Sequence, residues 1–355
     1  MSTLPSSMQC LLKEREEEGY DLVQRPVPEP GPGDVIIKIE KVGICGSDIN
    51  LWKWNDVAKK IASLPFIPGH EATGVVVKVG SEVTTIKLRQ KVAVENHFYC
   101  GECVLCLSDR GDICQRMDQY GLGRGTKHGG CCQYSLVPAR YCYVLTRSLT
   151  PSQAVLLEPM GVAHNAVSQI EVAGVGVLVL GAGPVGLFAI AVSKALGASP
   201  IYAVDIVPEK LEIAKKMGAT HVIDATKEDV GEAVMRLTDG NGVERIVEAS
   251  GSAVLLNHSF KWLRKGGQMV LIGIPKGPLH VDDVLQDLIF KSLTLKTVHG
   301  RRIFSTWRAC EALLASGKVD VTPLISHDMP MSRYADAFSA LLSCKACKIL
   351  LDPHQ

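Results

Sequence analysis

Apolar positions between about residue 30 and residue 150 form short runs that are separated by glycine and proline. The clearest of these runs are Val35–Ile39, Gly74–Val79 and Lys91–Val94. Helical periodicity is weak in this region, and short runs of β-branched residues between turn residues are typical of strands. The pattern therefore predicts a β-rich domain with embedded loops.

From about residue 160 onward, strand-like apolar runs alternate with amphipathic stretches. The predicted strands are 176–180, 201–205, 221–223, 244–248 and 268–274, and the predicted helices among them include 185–196 and 208–217. Such alternation is typical of βαβ units, in which helices cover a parallel sheet. We therefore predict an α/β fold for this part of the chain.

The end of the sequence carries two helix-like runs, at 304–316 and 333–342, and a strand-like run at 347–351. These pieces can return to the first domain. A length of 355 residues also fits two domains at about 150 residues each. We expect one domain from residues 1–160 and 301–355, and a second, with a doubly wound parallel sheet, from residues 161–300.

The segment from Val172 to Val192 has 21 residues without a charge, which is long enough to span a bilayer. It contains five glycines, however, and Pro184 lies near its middle. A buried strand, a tight glycine turn and a buried helix fit this pattern better than one membrane helix.

Charge and composition exclude further classes of function. Thirty-eight basic residues against thirty-seven acidic ones give a net charge of +1, so the chain has no global field that attracts nucleic acid or an anionic membrane. The N-terminal residues become charged before the apolar core of a signal peptide forms. We expect a cytoplasmic protein with neither nucleic acid nor membrane as a partner.

Four of the twelve cysteines lie close together, with the spacing C-x2-C-x2-C-x7-C: Cys100, Cys103, Cys106 and Cys114. In a chain without a secretory signal this spacing indicates metal binding rather than disulfides. Short gaps let neighbouring thiolates face one tetrahedral ion, which favours structural zinc. An iron–sulfur cluster could use the same ligands, but no further cysteine pattern supports electron transfer. Seven further cysteines are expected to be core or surface thiols: Cys10, Cys131, Cys132, Cys142, Cys310, Cys344 and Cys347.

A glycine-rich turn with the spacing G-x-G-x-x-G follows the apolar run Val177–Leu180. A helical pattern follows the turn, and Asp205 ends the next predicted strand. In this context Gly181 permits the tight turn, Gly183 lets the backbone approach a pyrophosphate, and Gly186 allows close packing. Because Asp205 can accept hydrogen bonds from the ribose hydroxyls and repels a 2′-phosphate, the pattern favours NAD over NADP.

A third motif lies upstream. Cys45 stands in the run Gly43-Ile44-Cys45-Gly46-Ser47-Asp48, and twenty-five positions later comes Gly69-His70-Glu71 at the start of a G-H-E-x2-G-x5-G-x2-V pattern. This combination resembles the signature of zinc-containing medium-chain dehydrogenases, the alcohol and polyol dehydrogenase superfamily. The four-cysteine lobe and the glycine turn also match that family, so the resemblance spans nearly the whole chain. It implies a GroES-like β-rich catalytic domain and a Rossmann coenzyme domain.

The resemblance implies reversible oxidation of a secondary alcohol, with hydride transfer to NAD and two zinc ions per chain. Cys45 and His70 would bind the catalytic zinc, together with Glu71 or Glu158 or both. Ser47 would accept the substrate proton. The coenzyme contacts would come from the glycine turn, including Pro184 and Val185, and from Ile272 and Arg301 later in the chain.

Within the superfamily, three stretches resemble the threonine dehydrogenase branch: Trp52-Lys53-Trp54-Asn55-Asp56, Glu95-Asn96-His97 and Gly300-Arg301-Arg302-Ile303-Phe304-Ser305-Thr306-Trp307. This likeness makes His97 a candidate base and Arg301 a candidate partner for a substrate carboxylate. Two departures are Asn50, where the family carries a proton-relay histidine, and the turn Arg89-Gln90-Lys91-Val92, where the family has G-D-R-V.

Three functional hypotheses remain open at this point. The first is an amino-alcohol dehydrogenase of the threonine type, and the second is a polyol dehydrogenase that acts on sorbitol-like sugars. The third is a catalytically silent NAD-binding protein. For either enzyme we expect a small alcohol as substrate and a homo-oligomer, a dimer or a tetramer.

Overall fold

The computed structural model describes residues 4–343 and 346–355, so Cys344 lies outside the described residues. The chain divides into two compact units. The first unit comprises Met1–Glu158, Arg302–Glu311 and Ile325–Gln355, and the second comprises Pro159–Arg301 and Ala312–Leu324. Residues 312–324, which the sequence assigned to the first domain, thus cluster with the second unit.

The strands, in chain order, are β1 Ser7–Leu12, β2 Asp21–Pro26, β3 Asp34–Ile44, β4 Glu71–Val79, β5 Lys91–Val94, β6 His97–Phe98, β7 Asp118–Gln119, β8 Tyr134–Pro138, β9 Cys142–Val144, β10 Val177–Leu180, β11 Ile201–Asp205, β12 His221–Asp224, β13 Val243–Glu248, β14 Leu263–Leu271, β15 Thr294–Thr297, β16 Ile325–Pro330 and β17 Lys348–Asp352. The helices are α1 Gly46–Lys53, α2 Asp56–Ile61, α3 Val104–Leu107, α4 Pro151–Ala154, α5 Leu157–Val167, α6 Pro184–Ala195, α7 Pro208–Met217, α8 Val230–Leu237, α9 Ala253–Trp262, α10 Ser305–Ala315 and α11 Tyr334–Leu342. No helix among these described residues is both long and apolar enough to cross a membrane.

The first unit is built around a mostly antiparallel sheet with the strand order β16-β17-β3-β4-β5-β9, and β8 pairs with β3. The long strand β3 is central because its alternate residues Val35, Ile37 and Ile39 are fully buried. Gly74 of β4 is needed opposite this strand, since a Cβ there would lie 2.0 Å from the Lys38 carbonyl oxygen. The predicted β-rich domain is therefore confirmed.

The second unit contains a six-stranded sheet in the order β12-β11-β10-β13-β14-β15, with every neighbouring pair parallel. This is the doubly wound order of a dinucleotide-binding fold. All four residues of β10 are buried, as both faces of a parallel sheet are covered by helices. The uncharged segment 172–192 thus forms a strand, a turn and a helix, as predicted.

Observed element bounds agree with the sequence pattern within a few residues. The largest difference is at β14, predicted as 268–274, which begins at Leu263 and ends at Leu271. Ile272 therefore lies just after the strand, with its amide donating to the Glu248 carbonyl oxygen at 2.9 Å. The described cysteines outside the two candidate metal groups are all buried: Cys10, Cys131, Cys132, Cys142, Cys310 and Cys347.

Candidate active site

The four clustered cysteines converge around one point in the loop between β6 and β7. The Sγ atom of Cys106 lies 3.8 Å from that of Cys100 and 3.5 Å from that of Cys103, and the Sγ atoms of Cys103 and Cys114 are 3.9 Å apart. Tetrahedral zinc with Zn–S bonds of about 2.3 Å requires sulfur atoms about 3.8 Å apart. The donor set therefore fits zinc, and the separations are far too long for disulfides.

Backbone amides support this sulfur cluster as thiolates. The Cys103 amide donates to Cys100 Sγ at 3.3 Å, and the amides of Cys100 and Arg116 donate to Cys114 Sγ at 3.3 Å each. Hydrogen bonds from backbone N–H groups, with Glu102 as the largest contributor, lower the pKa of Cys100 to about 6. Cys100 is thus favoured as a thiolate, the form that binds metal, whereas burial raises the pKa of Cys106 to about 12 in the metal-free loop.

The second cluster brings together Cys45, His70 and Glu71, whose ligand atoms all lie within 4.8 Å of one another. Cys45 follows β3 and caps the N-terminus of α1, while His70 immediately precedes β4, which begins at Glu71. Gly69 has a φ of +91°, and a Cβ there would lie 2.6 Å from Cys131 Sγ. Only glycine fits at this bend, which turns His70 toward Cys45.

Asp48 orients both ligand-bearing residues. One of its oxygens accepts a hydrogen bond from the Cys45 amide at 2.8 Å, and the other lies 3.3 Å from Nδ1 of His70. Burial alone lowers the pKa of His70, but the Asp48 carboxylate outweighs it, and the pKa is raised well above the ordinary value. With Nδ1 directed at a carboxylate, Nε2 is the nitrogen that remains for a metal.

Glu71 is fully buried, and both of its oxygens accept hydrogen bonds from Lys348 Nζ, at 2.7 and 2.9 Å. Burial opposes the charge of Lys348, but the Glu71 carboxylate raises the pKa of the lysine above its ordinary value. Glu158, at the start of α5, is 5% exposed and interacts electrostatically with both residues. Among the described residues, Glu158 is not part of the 4.8 Å ligand group.

The donor set at Cys45 also fits zinc, because a thiolate, an imidazole and nearby carboxylates are typical ligands of a catalytic zinc site. Ser47 lies in the first turn of α1, next to these ligands in the chain. Further along the same helix, the side-chain oxygen Oδ1 of Asn50 accepts a hydrogen bond from Nδ2 of Asn55 at 2.8 Å. Asn50 thus fixes the turn after α1 and has no titratable group.

His97 lies in a hydrogen-bonded network that joins distant parts of the sequence. Its amide donates to Glu95 Oε1 at 2.9 Å, and the indole N–H of Trp307 donates to Glu95 Oε2 at 2.8 Å. All three residues are buried. Two of the three stretches that resemble the threonine branch are therefore in direct contact.

The glycine turn after β10 has the geometry of a coenzyme site. Gly181 has a φ of +92° and its Cβ would meet Ser250, while a Cβ on Gly186 would lie 1.9 Å from the Gly181 carbonyl oxygen. Gly183 caps α6, and a Cβ there would meet nothing within 4 Å. No atom of the described residues requires glycine at position 183, so the open space fits the close approach of a pyrophosphate.

The Asp205 carboxylate lies at the carboxyl end of β11, directly beside this turn. It accepts hydrogen bonds from the amides of Ala182 at 2.6 Å, Ile206 at 2.8 Å and Val207 at 2.9 Å. The residue therefore holds the glycine turn in place, a role that the sequence pattern did not indicate.

Arg301, in the second unit, is 1% exposed, and its aliphatic stem packs where a Cβ on Gly161 would lie.

Sequence reasoning missed two residues of the metal cluster. Asp48 could have been found from the Cys45-x2-Asp48 spacing at a predicted helix start, since an acid three residues after the capping position often bonds back to it. Lys348 interrupts the apolar run 347–351, and a lysine within a buried strand indicates a buried partner.

Comparison with known proteins agrees with this geometry. Residues 31–147 match the alcohol dehydrogenase GroES-like domain, and residues 184–316 match the zinc-binding dehydrogenase domain. The chain belongs to the zinc-binding alcohol dehydrogenase family, which confirms the predicted fold and class of enzyme.

Particular relatives are similar over nearly the full length. The chain is 35% identical to L-threonine 3-dehydrogenase of Bacillus velezensis, over 98% of this chain and 99% of that protein. It superposes on 2R,3R-butanediol dehydrogenase from Bacillus subtilis with a TM-score of 0.88 and 28% identity, over 98% and 99% of the two chains. An Escherichia coli alcohol dehydrogenase complexed with NADH gives a TM-score of 0.88 and 27% identity, over 98% and 100%.

Proposed function

We propose that this protein is a zinc- and NAD-dependent dehydrogenase that oxidises the secondary hydroxyl of L-threonine or a closely similar amino alcohol. The hydrogen bond between Trp307 and Glu95 is the observation that supports this substrate class. It joins two stretches that resemble the threonine branch into one buried network, and a threonine dehydrogenase is 35% identical over nearly the whole chain.

When bound, zinc would supply the Lewis acidity that lowers the pKa of the substrate hydroxyl, and NAD would accept the hydride. Cys45 and His70 would hold the metal, with a carboxylate as the third ligand, and Asp48 positions the imidazole. Ser47 receives the proton from the hydroxyl. Because Asn50 cannot titrate, the proton leaves by another route, for which His97 is the candidate base.

Trp54 is proposed as a wall of the substrate pocket. It adopts a φ of 49°, in the left-handed region, which is strained for a bulky residue. Its indole N–H is buried and has no hydrogen-bond partner among the described residues. A buried donor without a partner is costly, and a polar group of the substrate would satisfy it.

NAD rather than NADP is the proposed coenzyme. Asp205 places a carboxylate at the end of β11, where the second strand of a dinucleotide fold meets the adenosine ribose. Its three backbone hydrogen bonds hold the carboxylate in place there, so that a 2′-phosphate would meet a fixed negative charge.

A substrate panel tests the proposal. NADH formation is measured with L-threonine, sorbitol, xylitol and 2,3-butanediol at saturating NAD. Fast turnover of threonine supports the amino-alcohol function. Turnover of the polyols or the diol without turnover of threonine would establish the polyol alternative. The structural similarity to a butanediol dehydrogenase is the observation that supports this alternative.

Arg301 provides a second discriminating measurement. Arg301→Lys keeps the charge but loses the planar pair of N–H donors. If Arg301 binds the substrate carboxylate, the change raises KM for threonine more than KM for a neutral alcohol. An equal effect on both substrates would assign Arg301 to the coenzyme or to packing.

We also propose a homo-oligomer that assembles through β15. This strand forms an edge of the six-stranded sheet, and Leu295 on it is 44% exposed, with Ile289 and Phe290 more exposed still. An exposed apolar edge is a template for pairing with a second chain. Light scattering that gives a monomer mass would contradict this assignment.

Cys10, Cys131, Cys132 and Cys142 are buried free thiols. They support a reducing compartment, for which we propose the cytoplasm.

A further inference from the structure

A buried lysine lies where two distant stretches of the first unit meet. Lys13 directly follows β1 and is 1% exposed. Its Nζ donates hydrogen bonds to three backbone carbonyl oxygens: that of Glu17, that of Gly19 at 3.0 Å and that of Trp52 at 3.2 Å. All three N–H groups of the ammonium are thus used, and their acceptors are backbone dipoles.

Two aromatic rings complete the surroundings of this ammonium. Nζ lies 5.7 Å from the ring centroid of Tyr20 and 5.4 Å from that of Trp54, which is the range of a cation–π contact. Tyr20 and Trp54 are each 6% exposed, so the solvent screens the charge only weakly. We call the three carbonyl oxygens and these two rings the lysine cage.

The backbone of Lys13 is fixed to the segment that leads to His70. The Lys13 amide donates to the Phe66 carbonyl oxygen at 2.9 Å, and the Phe66 amide donates to the Lys13 carbonyl oxygen at 3.0 Å. Phe66 is 1% exposed and shortly precedes His70 in the chain. The cage therefore has a rigid base.

The same N-terminal stretch holds both ends of α1. In the first turn the Tyr20 hydroxyl donates to the Asp48 carbonyl oxygen at 3.2 Å. In the last turn Lys13 Nζ and the Gly19 amide, the latter at 2.9 Å, both donate to the Trp52 carbonyl oxygen. A cation at this end of a helix satisfies carbonyl groups that have no partner within it.

Trp54 stands at the residue where this helix ends, with a φ of 49° and a ψ of 46°. Such a left-handed conformation is costly for a bulky residue and persists only where the surroundings enforce it. Lys13 binds the carbonyl two residues before this turn and also lies over the Trp54 ring, so it contacts both the backbone and the side chain that the turn orients.

The charge of Lys13 does not favour folding by itself. Burial lowers the pKa of Lys13 below its ordinary value, although Asp21 opposes the shift. A buried charge costs stability unless its partners compensate it fully, and an uncharged side chain of similar length would fill the same space. Only the ammonium provides three directional hydrogen bonds together with two ring contacts.

We propose that Lys13 is a positioning residue that fixes Trp54 and thereby sets the size of substrate that the enzyme accepts. This inference rests on the proposed function, in which Trp54 is a wall of the substrate pocket. The ring cannot yield to a longer substrate side chain without leaving the ammonium. Lys13 therefore acts on the substrate only through Trp54.

Selectivity for substrate length tests the proposal. The ratio of kcat/KM for L-threonine to kcat/KM for 2-amino-3-hydroxypentanoate, its homologue with one more methylene, is measured for wild type, K13M, W54A and K13M/W54A. K291M is the matched control, because Lys291 Nζ also donates to three carbonyl oxygens at the end of a helix, but in the second unit: those of Phe260 at 2.8 Å and of Lys261 and Leu263 at 2.9 Å.

We expect the wild type to favour threonine by about 10- to 200-fold, the usual effect of one methylene in a tight pocket, and K13M to lower this ratio about tenfold. The change should lie in KM rather than kcat, because the metal ligands and Ser47 are untouched. In the W54A background K13M should leave the ratio unchanged, since the residue through which it acts is gone. K291M should lower the melting temperature and keep the wild-type ratio.

Labelling with 5-fluorotryptophan gives a measurement that needs no substrate. The chain has four tryptophans, and the fluorine resonance that W54A removes is that of Trp54. K13M should shift and broaden this resonance because the turn loses its fixed conformation, whereas K291M should leave it in place.

If either the selectivity ratio or the Trp54 resonance of K13M matched the wild type, the proposal would be overturned, and so would an equal loss of selectivity in K291M. If K13M fails to fold, K13R decides: its planar guanidinium differs in shape from the ammonium and should displace the Trp54 ring, so an unchanged resonance refutes the proposal. A wild type that oxidises 2,3-butanediol but not threonine would contradict the proposed substrate alone, since the ratio of 2,3-butanediol to 2,3-pentanediol then tests Lys13 in the same way.

Discussion

Replacing Asp48 with asparagine should weaken metal binding at the Cys45 site while sparing the four-cysteine lobe. Asp48 is 2% exposed and accepts from the Cys45 amide at 2.8 Å while its other oxygen faces His70 Nδ1 at 3.3 Å. Asparagine has a single acceptor oxygen and can satisfy only one of these two groups.

Either orientation of the asparagine carries a cost. With its oxygen on the Cys45 amide, its NH2 group faces His70 and favours the tautomer that is protonated on Nε2, which blocks the metal. With its oxygen on His70, two donors oppose each other at Cys45, and a buried unsatisfied donor costs about 1–3 kcal/mol. At about 1.4 kcal/mol per factor of ten, Asp48→Asn should weaken zinc binding by about 10- to 100-fold, the range that is typical of lost supporting contacts.

The assay is chelator competition on the zinc-loaded protein, with release followed for both sites. Asp56→Asn is the matched control, because Asp56 is an exposed acid in the first turn of α2, on the next helix of the chain. We expect the lobe to keep its zinc in both variants. Zinc affinity of Asp48→Asn within twofold of wild type would refute the orienting role of Asp48.

Four further predictions concern other parts of the molecule. Cys103→Ser should release the lobe zinc and lower the melting temperature, because structural zinc contributes folding energy; an unchanged melting temperature would exclude that role. Asp205→Ala should narrow the preference for NAD over NADP in kcat/KM, mainly by weakening NAD, and equal efficiency of both coenzymes in the wild type would contradict the assignment. Asn50→His should change the pH–rate profile while coenzyme Kd stays constant, and an identical profile would exclude a proton route through this position. Burial raises the pKa of Glu311, but hydrogen bonds from Thr146 and Tyr143 outweigh it, and the pKa is lowered. The stability that this carboxylate contributes is therefore complete above its unfolded pKa of about 4.3 and is lost as the pH falls through the lower folded pKa. The difference in the free energy of unfolding between wild type and Glu311→Ala, measured by denaturant unfolding, should shrink in acid, and a difference that stays constant with pH would refute this.

Local sequence patterns predicted the elements well because each pattern has a local cause. The run Val177–Leu180 is buried on both faces and the three glycines at 181, 183 and 186 meet steric or ligand requirements within a few residues of chain. The cysteine lobe lies within fifteen positions, so its spacing alone predicts the sulfur cluster.

Contacts between distant residues could not be predicted in this way. Lys348 and Glu71 are separated by 277 positions, and Trp307 and Glu95 by 212. Hydrophobic periodicity contains no information about such pairs, because it records which face of an element is buried and not which partner covers it. The second role of Asp205, as acceptor of three backbone amides, also depends on the turn conformation rather than on spacing.

The pairing of β17 with β3 sets an order of events during synthesis. Lys348 and the Ile44 carbonyl that it binds are 304 residues apart. A ribosome that adds about 5–20 residues per second takes about 15 to 60 seconds to make the intervening chain. For most of that interval the nascent chain contains Cys45, His70 and Glu71 but lacks the ammonium that pairs with the Glu71 carboxylate. An ion captured early would therefore meet a carboxylate without the buried partner that it has in the finished protein.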